Sequence, residues 1–252
     1  MKENYSSIDK AVMILECLSS FPYEKSAIEI SQELKINRST VHRILNILVD
    51  NKLVYQSPSS RKYSIGARAY QIGSAYLYSQ TSMDQIKSIL EKMAKEIKLS
   101  IGYAILVEDK ILSIFELESY QAVQIGYRVG TYYPIHCGVY GKCIMAYYEP
   151  YEKLKEIVYS SKLDKRGPNS ITDPDKLLEE YSKIRKQGFT ISDEEYMKGI
   201  VGIGVPVRNI KNKVTGCIAV KYIKDTINEV EREHILERLK YYADKINNLN
   251  LW

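Results

Sequence analysis

Ser26-Ala27-Ile28-Glu29-Ile30-Ser31-Gln32-Glu33-Leu34-Lys35-Ile36-Asn37-Arg38-Ser39-Thr40-Val41-His42-Arg43-Ile44-Leu45-Asn46-Ile47-Leu48 reads as two short helices joined by a tight turn. Ser26 with Glu29 three residues on is a capping box, in which each side chain satisfies the other residue's orphan backbone N–H. Ala27, Ile30 and Leu34 then line one face of the first helix. Lys35-Ile36-Asn37 is the turn, and Asn37 can cap a second helix whose Val41, Ile44, Leu45 and Leu48 form a narrow apolar stripe. Upstream, a helix is expected over residues 6–20, with Ser6 or Ser7 as N-cap, Asp9 in the first turn, and Ile8, Val12, Leu15 and Leu18 spaced for one buried face. Pro22 ends it. Three short helices with a tight turn between the last two form a helix-turn-helix pattern. Downstream, residues 53–56 and 62–65 are rich in Val, Tyr and Ile and flank Ser57-Pro58-Ser59-Ser60-Arg61, a hairpin with a polar tip. Helix-turn-helix followed by hairpin is the winged form.

Gly66 opens a mostly helical stretch over residues 67–80, and a second cap signal at Ser82 precedes the apolar series Ile86, Ile89, Leu90, Met93, Ala94 and Ile97. From Ser100 the pattern becomes mixed. Strands are expected at 101–107, 111–115, 123–127, 202–207 and 217–222, and helices at 141–148, 151–159, 174–187 and 230–248. Asp109-Lys110 and Asn212-Lys213 read as hairpin tips. Hairpin-linked strands with helices at both ends indicate an α+β sensor-type domain with an antiparallel sheet. The chain therefore divides into a winged helix-turn-helix domain over residues 1–65, a helical connector over 66–80 and a larger domain over 81–252.

Composition supports this division. With 252 residues, 45% hydrophobic and 27% charged, the chain can bury a sizeable core and lies outside the disordered and fibrous classes. No apolar run approaches the roughly 18 residues needed to span a bilayer, and residues 1–20 lack a basic segment followed by an apolar one, so a cytoplasmic protein without membrane contact is expected. Cys17, Cys137, Cys143 and Cys217 include no CxxC pair, which argues against a disulfide framework and a zinc ribbon. The net charge of +5 is indecisive, but its distribution is not. Residues 1–37 carry four lysines against six acids, net −2; residues 38–65 carry Arg38, Arg43, Lys52, Arg61 and Lys62 against Asp50, net +4. Of 22 tyrosines, 18 fall beyond Gly66, where most can serve as core residues with the phenol at the surface.

With Val41, Ile44, Leu45 and Leu48 turned inward, Ser39, His42, Arg43 and Asn46 project outward, with Arg38 and Thr40 in the first turn. These residue types reach base edges or phosphates. Arg43 and Ser39 are the expected base readers, and Arg61 and Lys62 on the wing would meet backbone phosphates. Periodicity and charge alone leave two readings open: double-stranded operator DNA, or a small helical bundle with a solvated polar face.

The runs Ser7-Ile8-Asp9-Lys10-Ala11, Ser31-Gln32-Glu33-Leu34, Arg38-Ser39-Thr40-Val41-His42-Arg43-Ile44-Leu45 and Lys62-Tyr63-Ser64-Ile65-Gly66 resemble the winged-helix half of the IclR family of bacterial transcriptional regulators. The resemblance continues through Gly130-Thr131-Tyr132-Tyr133-Pro134-Ile135-His136-Cys137-Gly138-Val139-Tyr140-Gly141-Lys142. It extends to Gly188-Phe189, Asp193-Glu194-Glu195, Gly199-Ile200 and Val205-Pro206-Val207. It implies a GAF-like effector-binding second domain, a homodimer or homotetramer, and a small molecule that changes how the winged helices engage a pseudo-palindromic operator. The connector at 67–80 is then the element expected to have two arrangements.

Family cup positions carried over by motif are Ala122, Ile125 and Tyr133 on an apolar wall, Val139 and Tyr140 at a turn, Gly141 at a helix start, and Ser192, Gly202, Ala219 and Lys221 on the later strands. Three of them depart from the family's habit: a turn that is often small carries Tyr140, and a last strand that often offers hydroxyls carries Ala219 and Lys221. Lys221 suits an anion and Tyr140 supplies a phenol donor, which points to a small organic acid: a keto, sugar or aromatic acid. The alternative placements are Lys221 in solvent and Tyr140 in the core.

No catalytic residue, metal or cofactor is expected. His136 and Cys137 are neighbours and so point to opposite faces of extended chain, which prevents a shared proton. A metal held by His136, Cys137, Cys143 and Cys217 would lack any recognised zinc spacing. Asp193-Glu194-Glu195 reads as a helix start. The competing functional class is a ligand- or metal-sensing protein or enzyme whose helix-turn-helix mediates protein contacts.

Overall fold

A computed structural model describes residues 5–79, 83–118 and 128–249. The chain divides into two compact units, Met1–Thr81 and Ser82–Trp252. No helix among the described residues is long and apolar enough to cross a membrane.

The first unit contains α1 (Ser7–Leu18), α2 (Ala27–Leu34), α3 (Arg38–Asp50), β1 (Val54–Gln56), β2 (Tyr63–Ile65) and α4 (Ala67–Ser79). Capping boxes open α1 at Ser6 with Asp9 and α2 at Ser26 with Glu29. Lys35 ends α2 in the left-handed conformation at φ 54°, which turns the chain into α3, and Asn37 Oδ1 caps α3 by accepting from the Ser39 N–H at 3.2 Å. The α3 stripe Val41, Ile44, Leu45 and Leu48 is buried as its spacing predicts, against Ile14 and Leu18 of α1, Ala27 and Ile30 of α2, Val54 and Tyr63. Full burial of a side chain such as Ile14, Ile30 or Leu45 stabilises by about 1.5–3 kcal/mol relative to exposure.

One expectation for this unit holds only for Leu15 and Leu18. The inner face of α1 is Ile14, Cys17 and Leu18, whereas Ile8 and Val12 are 77% and 49% exposed. Apolar side chains at Ile8, Ala11, Val12, Met13, Ile14, Leu15, Cys17 and Leu18 surround nearly the whole wheel, so spacing alone selects no face. The wing pairs Val54 with Ile65 and Gln56 with Tyr63, and Lys25 adds a bridge to Tyr63.

The second unit begins with α5 (Met83–Ile97) and builds one six-stranded antiparallel sheet from β3 (Ser100–Val107), β4 (Lys110–Leu117), β5 (Tyr132–Tyr133), β6 (Thr190–Asp193), β7 (Ile200–Arg208) and β8 (Val214–Ile223), in the order β5-β4-β3-β8-β7-β6. Between β5 and β6 lie α6 (Val139–Met145), α7 (Tyr151–Ser160) and α8 (Pro174–Gln187); α9 (Glu229–Asn247) closes the unit. Strand alternation divides the side chains between two cores. Ile101, Tyr103, Ile203, Val205, Ile218, Val220 and Tyr222 face α5 and α9, while Ala104, Cys217 and Ala219 face α6, α7 and α8. Glycines let α6 lie close: a Cβ on Gly204 would overlap the Val139 and Cys217 side chains.

The two-residue β5 and four-residue β6 are too short to register as alternating strands in the sequence, and the strand expected at 123–127 lies outside the described residues. The first hairpin tip is Glu108-Asp109 rather than Asp109-Lys110, because Lys110 already pairs with Val107. Helix α6 starts at Val139, two residues before Gly141.

Candidate functional site

In the first unit, α3 presents Arg38, Ser39, His42, Arg43 and Asn46 to solvent, with Thr40 half-buried beside them. The Ser39 hydroxyl donates to Asn37 Oδ1 at 3.1 Å, and an Arg43 guanidinium N–H donates to Ser7 Oγ at 3.3 Å. Both contacts are exposed and so exchange readily with water or another acceptor. At the wing tip Arg61 is exposed and takes φ 57°, with its backbone N–H donating to the Ser57 carbonyl at 2.9 Å; Lys62 beside it is half-buried. The buried Lys25 serves the fold instead. Its Nζ meets Glu33 Oε2 at 2.5 Å and Cys17 Sγ at 3.4 Å, tying α2 to α1.

In the second unit, the sheet face beneath α6 gathers Tyr133, Val139, Tyr140, Gly141, Ser192, Gly202, Ala219 and Lys221. Lys221, Gly202 and Ser192 stand side by side across β8, β7 and β6, and Ala219 lies one step along on the same face. Tyr133 and Tyr140 meet edge to face at 5.4 Å between ring centres, and Tyr196 lies 5.5 Å from Tyr133. Ala122 and Ile125 lie outside the described residues.

Lys221 has no solvent exposure, so the alternative of a lysine in solvent is excluded; equally, it is not a free cation waiting for an anion. Its Nζ pairs with Glu116 Oε2 and donates to the Tyr140 hydroxyl at 3.0 Å, while the Tyr140 hydroxyl donates to Glu116 Oε1 at 2.9 Å. Ser113 Oγ donates to the same Oε1 at 2.8 Å. Burial pulls the Lys221 ammonium below its usual range against the opposing pull of Glu116, and burial lifts the Tyr140 phenol well above its own, with the Glu116 charge adding to the rise.

Sequence reasoning missed Glu116 and Ser113. A β-bulge explains why both face α6: Tyr103 is opposite Phe115 and Ala104 opposite Ser113, so the extra Ile114 re-phases β4. Gly102, opposite Glu116, makes room for the cluster, since a Cβ there would collide with the Tyr140 hydroxyl and the Glu116 carboxylate.

The reading of Asp193-Glu194-Glu195 as a helix start is wrong. Asp193 ends β6, Glu194 turns the chain at φ 52°, and the acids serve as counter-ions. Glu194 pairs with Lys224 at 2.6 Å and accepts from the Gly199 N–H at 2.8 Å. Glu195 pairs at 2.6 Å with Lys142, a fully buried lysine that also meets Glu180 at 2.8 Å and donates to the Ile191 carbonyl at 2.9 Å. Lys142 thereby fixes α6 to α8 and to the β6 edge. His136 Nε2 donates to the Asp164 carbonyl at 2.8 Å, and burial pushes the Cys137 thiol up to about 12, which leaves it unreactive. Among the described residues no three His, Cys, Asp or Glu side chains converge to hold a metal ion.

Two family models match the chain: the IclR helix-turn-helix domain over residues 7–58, and the bacterial transcriptional regulator IclR C-terminal domain over residues 74–248. Among characterised relatives, the DNA-binding transcriptional repressor YiaJ of Escherichia coli is 25% identical over 244 residues, covering 96% of this chain and 86% of its own. The crystal structure of an IclR transcriptional regulator from Alicyclobacillus acidocaldarius superposes with a TM-score of 0.85 at 25% identity, covering 97% of this chain and 99% of that one. An IclR homologue from Microbacterium hydrocarbonoxydans, crystallised with 4-hydroxybenzoate, shares the fold with a TM-score of 0.80 at 21% identity over 96% and 98% of the two chains.

Proposed function

The chain belongs to the IclR family of bacterial transcriptional regulators, and from that premise we propose that its affinity for operator DNA is set by a small organic acid bound beneath α6 in the second unit. The observation that carries the reading is Lys221, an ammonium with no exposure held beside a tyrosine phenol on the sheet face where the tyrosine rings meet. Unlike the buried Lys25 and Lys142, which tie helices together, Lys221 joins its partners on the sheet face among the positions carried over for the effector cup. The relative crystallised with 4-hydroxybenzoate lends the same chemistry: a carboxylate on a compact body.

In this proposal α3 lies in the major groove, with Ser39 and Arg43 reading bases and Arg38, Thr40, His42 and Asn46 beside them. Arg61 and Lys62 on the wing meet phosphates. Tyr133, Val139, Tyr140, Gly141, Ser192, Gly202, Ala219 and Lys221 line the effector site, with Ala122 and Ile125 carried over from the family pattern. The regulator works in the cytoplasm as a homodimer or homotetramer on a pseudo-palindromic site. The acid acts only through a difference in affinity between two arrangements of the protein.

The test is fluorescence anisotropy on duplex DNA from upstream of the chain's own gene, against random duplex, at several salt concentrations and with keto, sugar and aromatic acids added. Preference for the upstream DNA, shifted by at least one acid, supports the proposal; preference that no acid shifts retires the effector reading.

A further inference from the structure

The Glu116 carboxylate is held by three donors, Lys221, Tyr140 and Ser113, contributed by β8, α6 and β4. That is the donor set an exogenous carboxylate would need: a cation, a phenol and a hydroxyl, all buried. The backbone around it is shaped for the purpose. The bulge at Ile114 turns Ser113 and Glu116 to one face, and Gly102 leaves the space that the carboxylate and the phenol occupy.

Resting on the effector reading above, we propose that Glu116 is the chain's own occupant of the anion seat, and that an organic acid enters by exchanging its carboxylate for that of Glu116 on Lys221 and Tyr140. The exchange leaves the number of charges on the lysine unchanged, and the displaced Glu116 carboxylate turns out to water from near the end of β4, so no second anion stays on this buried face. Glu116 therefore sets the threshold for response: an acid must outcompete a tethered carboxylate, and weak acids present at low concentration fail to.

The experiment uses the full chain with Glu116→Ala, which empties the seat, and acetate as the probe against chloride at equal ionic strength. Wild type shows no acetate-specific change in Tm. The variant, destabilised by loss of the Glu116 charge, gains about 3–6 °C when acetate reaches roughly ten times its Kd. Equal stabilisation by acetate and chloride overturns the proposal.

If Glu116→Ala does not fold, Glu116→Gln keeps the shape of the side chain and removes its charge. Calorimetry with 4-hydroxybenzoate then shows at least tenfold tighter binding to Glu116→Gln than to wild type, and equal or weaker binding overturns the exchange. These results stand apart from the operator assay. Acetate rescue decides whether the seat takes a foreign carboxylate, and operator affinity untouched by any acid retires the effector reading.

Discussion

Replacing Lys142 with Met keeps most of the buried stem and deletes the charge that joins Glu195, Glu180 and the Ile191 carbonyl. Glu180 retains 20% exposure and turns to water with little loss, but the Glu195 side chain is only 10% exposed and has no comparable escape. Removing one partner of such a buried pair costs about 3–5 kcal/mol, which for a unit of this size lowers Tm by roughly 6–20 °C. The loss also carries a pH signature. Burial already holds the Glu195 carboxyl above its ordinary 4.5 while Lys142 pulls it down, so deleting Lys142 raises it further. A carboxyl whose native value is raised favours the fold below its unfolded value, and that contribution is lost as pH rises through the native value. The stability gap between Lys142→Met and wild type therefore widens from pH 5 to pH 8. Adding Glu195→Gln removes the stranded charge and recovers at least half of the loss. Thermal and urea melts of the full chain followed by circular dichroism at both pH values measure this. A gap independent of pH, or a double variant no more stable than the single one, would refute the reasoning.

Arg43→Ala is expected to weaken binding to the operator by about 1–3 kcal/mol while changing random-duplex affinity far less; equal losses in an anisotropy titration would remove Arg43 from base reading. Arg61→Ala should instead reduce the slope of log affinity against log salt by about 0.9, the signature of one phosphate contact, and an unchanged slope would take the wing tip off the DNA. Burial, with the Arg166 charge adding, holds the His136 imidazole below its usual 6.5. Its contribution to stability is thus present above pH 6.5 and lost as pH falls through the native value. Melts of wild type from pH 7 to pH 5 should therefore steepen in their loss of stability relative to His136→Gln, and parallel curves would show that His136 titrates alike folded and unfolded.

Legibility followed how local the determining contacts are. Of the two N-caps open for α1 the structure uses Ser6, while the capping box at Ser26, the Asn37 cap and the stripe on α3 rest on residues close in sequence, and each formed where the residues indicated. The inner face of α1 did not, because apolar residues lie nearly all around that helix. In the second unit the strand alternation that divides Ile218 and Val220 from Cys217 and Ala219 is local, and it placed Lys221 on the same face as Ala219. What that lysine touches was not legible: Glu116 is 105 residues away and reaches it through a bulge that breaks the two-residue period. The same distance hid the role of Glu195, whose partner Lys142 is 53 residues earlier. A run of three acids that supplies counter-ions to two lysines therefore reads, on local grounds, as a helix start.

Whether a carboxylic acid acts through Lys221 to change operator affinity is decided by the operator Kd against acid concentration. The proteins to compare are wild type and Lys221→Met combined with Glu116→Gln, which deletes the pair without stranding either charge. An effective acid should shift wild-type affinity about tenfold or more and leave the double variant unmoved while it still binds operator. An equal shift in both proteins would contradict a role for Lys221 in sensing the acid.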